Sequence, residues 1–299
     1  MSELGDPPLP PGVRQAVVSH VRGGRVAVAR DWLAEEVPVA LVLNGISHAV
    51  MMATPDNLDA FALGFGLTEG LLARPAELYG VEVQTVPAGI EVHMTVASAC
   101  AHRLAERRRT LAGRTGCGLC GTDSLAQVRR ALPAVAPQQV LPEALARAQQ
   151  GLRAWQALQQ LTGATHAAAW CSSAGEVLCV REDVGRHNAL DKLIGALVQQ
   201  GVCTPVEGGL AAAPGFACIT SRASFEMVQK AAMAGIGVLA AVSAPTALAV
   251  DVAQEAGVLL AGFVRGDDLV AYTYPERLGL AAQATAAAMA PATPTALNT

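Results

Sequence analysis

From Phe216 to Val264 the chain alternates short apolar runs with amphipathic stretches, and this rhythm constrains the fold more than any other feature. Residues 216–220, 236–242 and 258–264 read as strands, with helices at 223–234 and 245–256 between them and a last strand at 269–274. Neighbouring parallel strands need a crossover of about a dozen residues, and these helices supply it, so the series predicts an α/β layer with parallel pairing. Residues 231–250 carry no charge and are long enough to span a bilayer. Gly235, Gly237, Ser243, Pro245 and Thr246 nevertheless divide that stretch into a helix end, a buried strand and a new helix start, closed by Lys230 and Asp251, so no membrane span is expected.

Upstream, Val39, Leu41 and Leu43 alternate into Asn44-Gly45 and out through Ile46, His48 and Val50, a tight-hairpin signature. A helix is predicted over 58–73. Val81 and Val83, then Ile90, Val92, Met94 and Val96, form a second hairpin broken at Pro87-Ala88-Gly89. Ser98 can cap a helix running to Leu111 and ended by Gly113, and another begins near Asp123 or Ser124. Residues 133–142 read as a linker, 143–161 as a helix, 167–170 and 176–181 as a hairpin, and 184–199 as a helix. On that last helix Leu190, Leu193, Ile194, Leu197 and Val198 form the apolar stripe, leaving Arg186, His187, Asp191 and Lys192 off it. The organisation expected is a disordered N-terminus over 1–12, a smaller β-rich region over 13–135, an α/β cofactor-binding domain over 136–280 and a disordered tail over 281–299. Taken together this is an α/β protein of the α+β, mixed-sheet kind.

With 299 residues, 52% of them hydrophobic and only 15% charged, the chain can bury a sizeable core. A net charge of −4 gives no global attraction to nucleic acid or to an anionic membrane, so neither is expected as a partner. Anion binding must come from local clusters such as Arg103, Arg107, Arg108, Arg109 and Arg114. Seven cysteines, several in apolar runs, do not make a secreted disulfide scaffold, and the proline-rich start lacks the apolar core of a secretory signal. A cytoplasmic location is expected.

Residues 116–121, Gly-Cys-Gly-Leu-Cys-Gly, hold Cys117 and Cys120 in a glycine-rich CxxC loop. A following helix N-terminus and nearby arginines favour thiolate there. The pair alone is compatible with zinc, a dithiol shuttle, a persulfide or two partly buried thiols. No second Cys/His pair stands at ligand spacing, and no histidine is followed two positions later by glutamate, which argues against structural zinc and against zinc deaminase chemistry.

Three further stretches carry polar groups at turns. In Arg181–Lys192, Gly185 permits a turn and the next helix places His187 and Asp191 four apart on one face, suited to holding an imidazole or contacting an anion. Thr220-Ser221-Arg222-Ala223-Ser224-Phe225-Glu226, ending with Lys230, follows a strand and opens a helix, where open α/β sheets bind phosphorylated ligands; Ser221 and Ser224 are equally good helix caps. Phe263-Val264-Arg265-Gly266-Asp267-Asp268 leaves a buried strand for a polar turn. Its carboxylates can accept from guanine N1–H and amino groups while Arg265 meets phosphate, although a plain hairpin turn explains it as well.

Together GCGLCG (116–121), REDVGRHNALDK (181–192), TSRASFEMVQKAAMAGIGVLAAVSAPTALAV (220–250) and AGFVRGDDLVAYTYPERL (261–278) resemble the FdhD family of formate dehydrogenase accessory sulfurtransferases. The likeness runs from about Val39 to Leu278. It implies a protein that receives sulfur from a cysteine desulfurase, carries it as a persulfide, and delivers it to the bis-molybdopterin guanine dinucleotide molybdenum cofactor before that cofactor enters formate dehydrogenase. On this resemblance Cys117 bears the persulfide, Cys120 assists, and the cofactor contact maps onto Phe263 through Asp268. A guanine nucleotide such as GDP would mimic the cofactor, and Ser221, Arg222, Ser224, Lys230, His187 and Lys192 would serve its phosphates. The resemblance also implies a cytidine-deaminase-like core and a homodimer. A molybdenum-cofactor chaperone without sulfur transfer is the competing reading, and a dithiol redox protein is a third.

Overall fold

The structure is a computed structural model describing residues 10–100 and 131–279. Residues 1–9 and 280–299, the CxxC segment with Cys117 and Cys120, and most of the helices expected beside it lie outside the described residues. The chain opens with a hairpin unforeseen from its sequence, β1 (Val13–Arg22) and β2 (Arg25–Ala34), turning at Gly23-Gly24. Val17, Val21, Val26 and Val28 share one exposed face, so no inward-facing pattern marks these strands. The next hairpin matches expectation: β3 (Val37–Leu43) and β4 (Ile46–Ala53) turn on Asn44 and Gly45 at φ 46° and 79°, the left-handed pair that a two-residue turn of this type requires.

Helix α1 (Leu58–Thr68) stops short of the expected 73. Gly70, at φ 64°, reverses the chain so that the amides of Leu71 and Leu72 both return to the Gly66 carbonyl. The second hairpin, β5 (Leu78–Val86) and β6 (Gly89–Val96), pairs with the first through parallel β3 and β6, giving a sheet in the order β4-β3-β6-β5.

The expected helix over 143–161 is two helices, α2 (Pro142–Leu152) and α3 (Ala157–Thr162), with a tight turn over 153–155. Glu182 explains the break, because its carboxylate accepts from the amides of Leu158 and Gln159 at 2.8 and 2.9 Å and so caps a second helix start. The preceding segment, expected as a linker, is irregular but packed: Val135 and Val140 are buried, and their amides bond to Ala256 and Arg277 carbonyls.

Strands β7 (His166–Cys171) and β8 (Val177–Asp183) lead into α4 (Arg186–Gln199) and a small hairpin, β9 (Cys203–Val206) and β10 (Gly209–Ala212). The alternating series then follows as β11 (Phe216–Ile219), α5 (Phe225–Met233), β12 (Val238–Ala241), α6 (Ala247–Ala256), β13 (Leu259–Arg265) and β14 (Asp268–Ala271). The large sheet runs β14-β13-β12-β11-β7-β8; its neighbours β11, β12 and β13 are parallel and its other pairings antiparallel, so it is mixed. Successive strand residues face opposite sides. Ala217 and Ile219 join α4, α5 and α6 in one apolar cluster, whereas Phe216 and Cys218 meet α2 in another, which makes three layers. Among the described residues no helix is long and apolar enough to cross a membrane.

Helix α1 connects the two sheets. Every residue in it except Asp59 is buried, with Phe61, Phe65 and Leu67 against its own sheet. Toward α4 the contact is made by glycine: a Cβ on Gly64 would lie 1.8 Å from the Asp191 carbonyl oxygen, and one on Gly195 1.9 Å from that of Ala60. The two backbones therefore touch with no side chain between them. Gly64→Ala is expected to force the helices apart and cost about 1–3 kcal/mol in urea unfolding, whereas an unchanged midpoint would contradict so close a contact.

Candidate functional site

The candidate residues outside the CxxC gather at one edge of the large sheet. Because β7 is antiparallel to both β11 and β8, the carboxyl end of β8 lies on the same edge as the carboxyl ends of β11, β12 and β13. Helices α4, α5 and α6 all start there. Direct contacts join the turns: Ala223 bridges to Pro245, the Thr246 amide donates to Ala223, the Phe263 amide donates to Ser243, and Arg265 Nε donates to the Val242 carbonyl at 3.2 Å. Ligands of open α/β sheets bind outside such strand ends.

Within the turn after β11, Arg222 is exposed and Ser221 is buried with its hydroxyl on the Arg222 carbonyl at 3.0 Å. Ser224 occupies the N-cap of α5, yet its Oγ donates to Glu226 Oε2 at 3.0 Å rather than capping a backbone amide. The same carboxylate oxygen accepts from His187 Nε2, on the first turn of α4, at 3.1 Å. Burial alone would raise the Glu226 pKa, but the His187 bond and charge, helped by Ser224 and Arg186, hold it below the usual glutamate value. His166, at the start of β7, lies in the same field: burial, then the Arg186 and His187 charges, hold its pKa below the ordinary histidine value. His166 was not singled out from the sequence, whereas Arg186 and Glu226 fell within the polar stretches 181–192 and 220–226 without a role of their own. The Ser224–Glu226 spacing is one short of a capping box, so no local rule marks Glu226.

At the far turn, β13 bulges between Gly262 and Arg265, and Phe263 adopts φ 52° with 40% of its surface exposed. A left-handed, solvent-facing aromatic is a costly conformation, of the kind concentrated at functional sites. A Cβ on Gly262 would press on Tyr272 and Pro245, so glycine is required where the bulge meets the turn after β12. Arg265, Gly266, Asp267 and Asp268 are exposed, while the Val264 side chain is fully buried and offers only its backbone.

The structure separates both expected lysines from this surface. Lys192 is fully buried, paired with Asp183 at 2.7 Å and donating to the Thr54 carbonyl at 2.9 Å. Asp183 also accepts from the Thr54 and Gly185 amides and from Asn188 Nδ2, which itself reaches the Met52 carbonyl. This network ties the end of β4 to the start of α4. Lys230 points from α5 into the interior, bonded to both oxygens of Asp191, to Thr68 Oγ1 at 3.1 Å and to Glu69 at 3.0 Å, and it lies 5.5 Å from the centre of the Phe65 ring. Burial alone would lower the Lys230 pKa, but two carboxylates outweigh it and raise it above the usual lysine value. The stability gained from that charge is thus complete below the ordinary lysine pKa and lost only as pH rises through the raised one. His187 and Asp191, expected to act from one helix face, bind different partners and are not brought together.

Five cysteines are described, and all are buried. Burial pushes the thiols of Cys203 and Cys218 up to about 12, and raises Cys171 further, with Cys218 beside it adding to the effect. Cys100 donates to Glu77 at 3.2 Å, and the Arg181 guanidinium lies 3.4 Å from Cys179 Sγ. Among the described residues no group of three or more His, Cys, Asp or Glu could hold a metal.

These observations define a mixed α/β protein with a polar, partly cationic candidate site at the carboxyl edge of its parallel strands. The chain belongs to the FdhD/NarQ family, which it matches over residues 34–279. It is 58% identical to the sulfur carrier protein FdhD of Variovorax paradoxus, covering 94% of this chain and 99% of that one. It is 54% identical to the sulfur carrier protein FdhD of Bordetella bronchiseptica, over 87% of this chain and 93% of the relative. A crystal structure from Desulfotalea psychrophila, described as a formate dehydrogenase accessory protein, superposes with a TM-score of 0.66 at 20% identity, covering 90% of this chain and all of that one, and so shares the fold.

The interior and the edge should respond differently to substitution. Lys192→Met strands a buried Asp183 charge and is expected to cost about 3–5 kcal/mol in chemical unfolding. Arg222→Ala, at the exposed turn, should stay within about 0.5 kcal/mol of the parent; equal losses at the two positions would contradict the division between brace and surface.

Proposed function

We propose that the chain is a sulfur carrier that takes sulfur from a cysteine desulfurase as a persulfide on Cys117, with Cys120 assisting. The sulfur is then delivered to the bis-molybdopterin guanine dinucleotide molybdenum cofactor destined for formate dehydrogenase. The observation that carries this reading is the state of the other cysteines. All five are buried, and burial raises the thiol pKa of Cys171, Cys203 and Cys218, which disfavours thiolate at these three and supports the CxxC as the sulfur-carrying site. Relatives named sulfur carrier protein FdhD, and a structural neighbour described as a formate dehydrogenase accessory protein, support it.

Loading needs no outside oxidant. The Cys117 thiolate attacks the outer sulfur of the desulfurase persulfide, a new S–S bond forms on Cys117, and the old bond breaks with its electron pair leaving on the desulfurase thiolate. The cofactor is the substrate that receives this sulfur. Its guanine nucleotide moiety is assigned to the strand-end edge, where exposed Arg222 and Arg265 meet phosphate, Ser224 and His187 border it, and the face of Phe263 stacks on the purine. Asp267 and Asp268 accept from guanine N1–H and its amino group. Lys192 and Lys230 act from behind as braces, and Ser221 shapes the turn. A homodimer belongs to this reading on the family resemblance alone.

The test is to incubate the full chain with a cysteine desulfurase and cysteine and to weigh the Cys117 peptide. One added sulfur is expected there, and Cys117→Ala should fail to restore formate dehydrogenase in a strain lacking the carrier. An unmodified peptide, or a fully active Cys117→Ala protein, would overturn sulfur transfer in favour of a cofactor chaperone.

A further inference from the structure

We propose that Arg186 is a phosphate-binding residue of the strand-end site, its guanidinium left without a protein partner so that the diphosphate of a guanine nucleotide can take it. The inference rests on the assignment of a nucleotide to that edge. Arg186 is the first residue of α4 and half-buried, and its Nε is covered from solvent yet has no acceptor. Among the described residues no carboxylate forms an ion pair with it. A buried donor with no acceptor is costly, and most such groups in folded proteins find one.

The carboxylates that could pair with Arg186 are bonded to other groups. Its charge is felt by Glu226, which places the two near one another, but Glu226 Oε2 is held by His187 at 3.1 Å and by Ser224 at 3.0 Å. Asp183, three residues before Arg186, pairs with Lys192 at 2.7 Å and also accepts from the Thr54 and Gly185 amides and from Asn188. The helix adds to the imbalance. Gly185 at the N-cap has no side chain to accept from the first-turn amides, whose partial positive charge lies beside a cation instead of an anion. Phosphate corrects both faults, because its oxygens accept from the guanidinium fork and favour the positive end of the helix. Since Nε is covered, the side chain meets the ligand by turning about its terminal torsions, and the unsatisfied donor favours that turn. Arg222 is exposed on the neighbouring turn and supplies charge, whereas Arg186 supplies a forked contact at the start of α4.

The experiment is isothermal titration of GDP into the full chain, with thermal melting of the ligand-free protein alongside, for the parent, Arg186→Met and Arg186→Lys. Methionine keeps an unbranched stem and removes the charge and the orphaned donor. Arg186→Met should bind GDP about tenfold more weakly or worse, the size of a lost hydrogen bond to a charged group. Without ligand it should melt no lower than the parent. That combination marks a residue kept for a ligand, since the loss of a structural residue lowers the melting temperature. Arg186→Lys should fall between the two in affinity, because a point charge replaces only part of a forked contact. Parent-like GDP binding by either variant, or a methionine variant that melts well below the parent or fails to fold, overturns the role of Arg186 and leaves the nucleotide site standing. No GDP binding to the parent overturns the site itself and Arg186 with it.

Discussion

The contact of α1 with α4 holds the molecule together. Gly64 and Gly195 bring the two backbones within a distance that no Cβ would tolerate, and the buried pairs Lys192–Asp183 and Lys230–Asp191 close on either side of that contact. Asp191 and Lys192 are adjacent on α4, so a single turn of helix is tied forward to α5 and backward to β4. Charges this deep are costly to desolvate and hold only when each finds several partners. Thr54, Thr68, Asn188 and the Gly185 amide supply them.

The consequence for chemistry is indirect and strong. The same Asp183 that pairs with Lys192 binds the Gly185 amide at the start of α4, and so sets where Arg186 and His187 emerge. From there the edge is built in sequence by His187 on Glu226, the turn after β11, Pro245 against Ala223, and the bulge that exposes Phe263 and Arg265. A rigid frame with a polar, strained rim suits a ligand whose phosphates and base must be held while a thiol reaches it.

Much of this was legible in the chain because it depends on local pattern. The strand–helix alternation after Phe216 and the Asn44-Gly45 turn follow from residues that are neighbours in sequence. The fate of the lysines was not legible, since Lys192 is satisfied by Thr54 and Lys230 by Thr68 and Glu69, partners that only the fold brings near. The break between α2 and α3 escaped for the same reason, its cap being Glu182 from a later strand. The β1–β2 hairpin escaped because its valines face outward. Within the candidate site, Arg222, His187 and Phe263 could be named from their motifs, whereas Glu226 and His166 acquire meaning only when α5 and β7 are placed beside α4.

The central claim is that the carboxyl edge of the parallel strands holds the guanine nucleotide of the cofactor. Amide hydrogen exchange of the full chain with and without saturating GDP tests it most directly. Protection confined to peptides covering 219–226, 184–188 and 262–268 is the predicted result. GDP bound with no protection in those peptides, or with protection only elsewhere, would contradict the account.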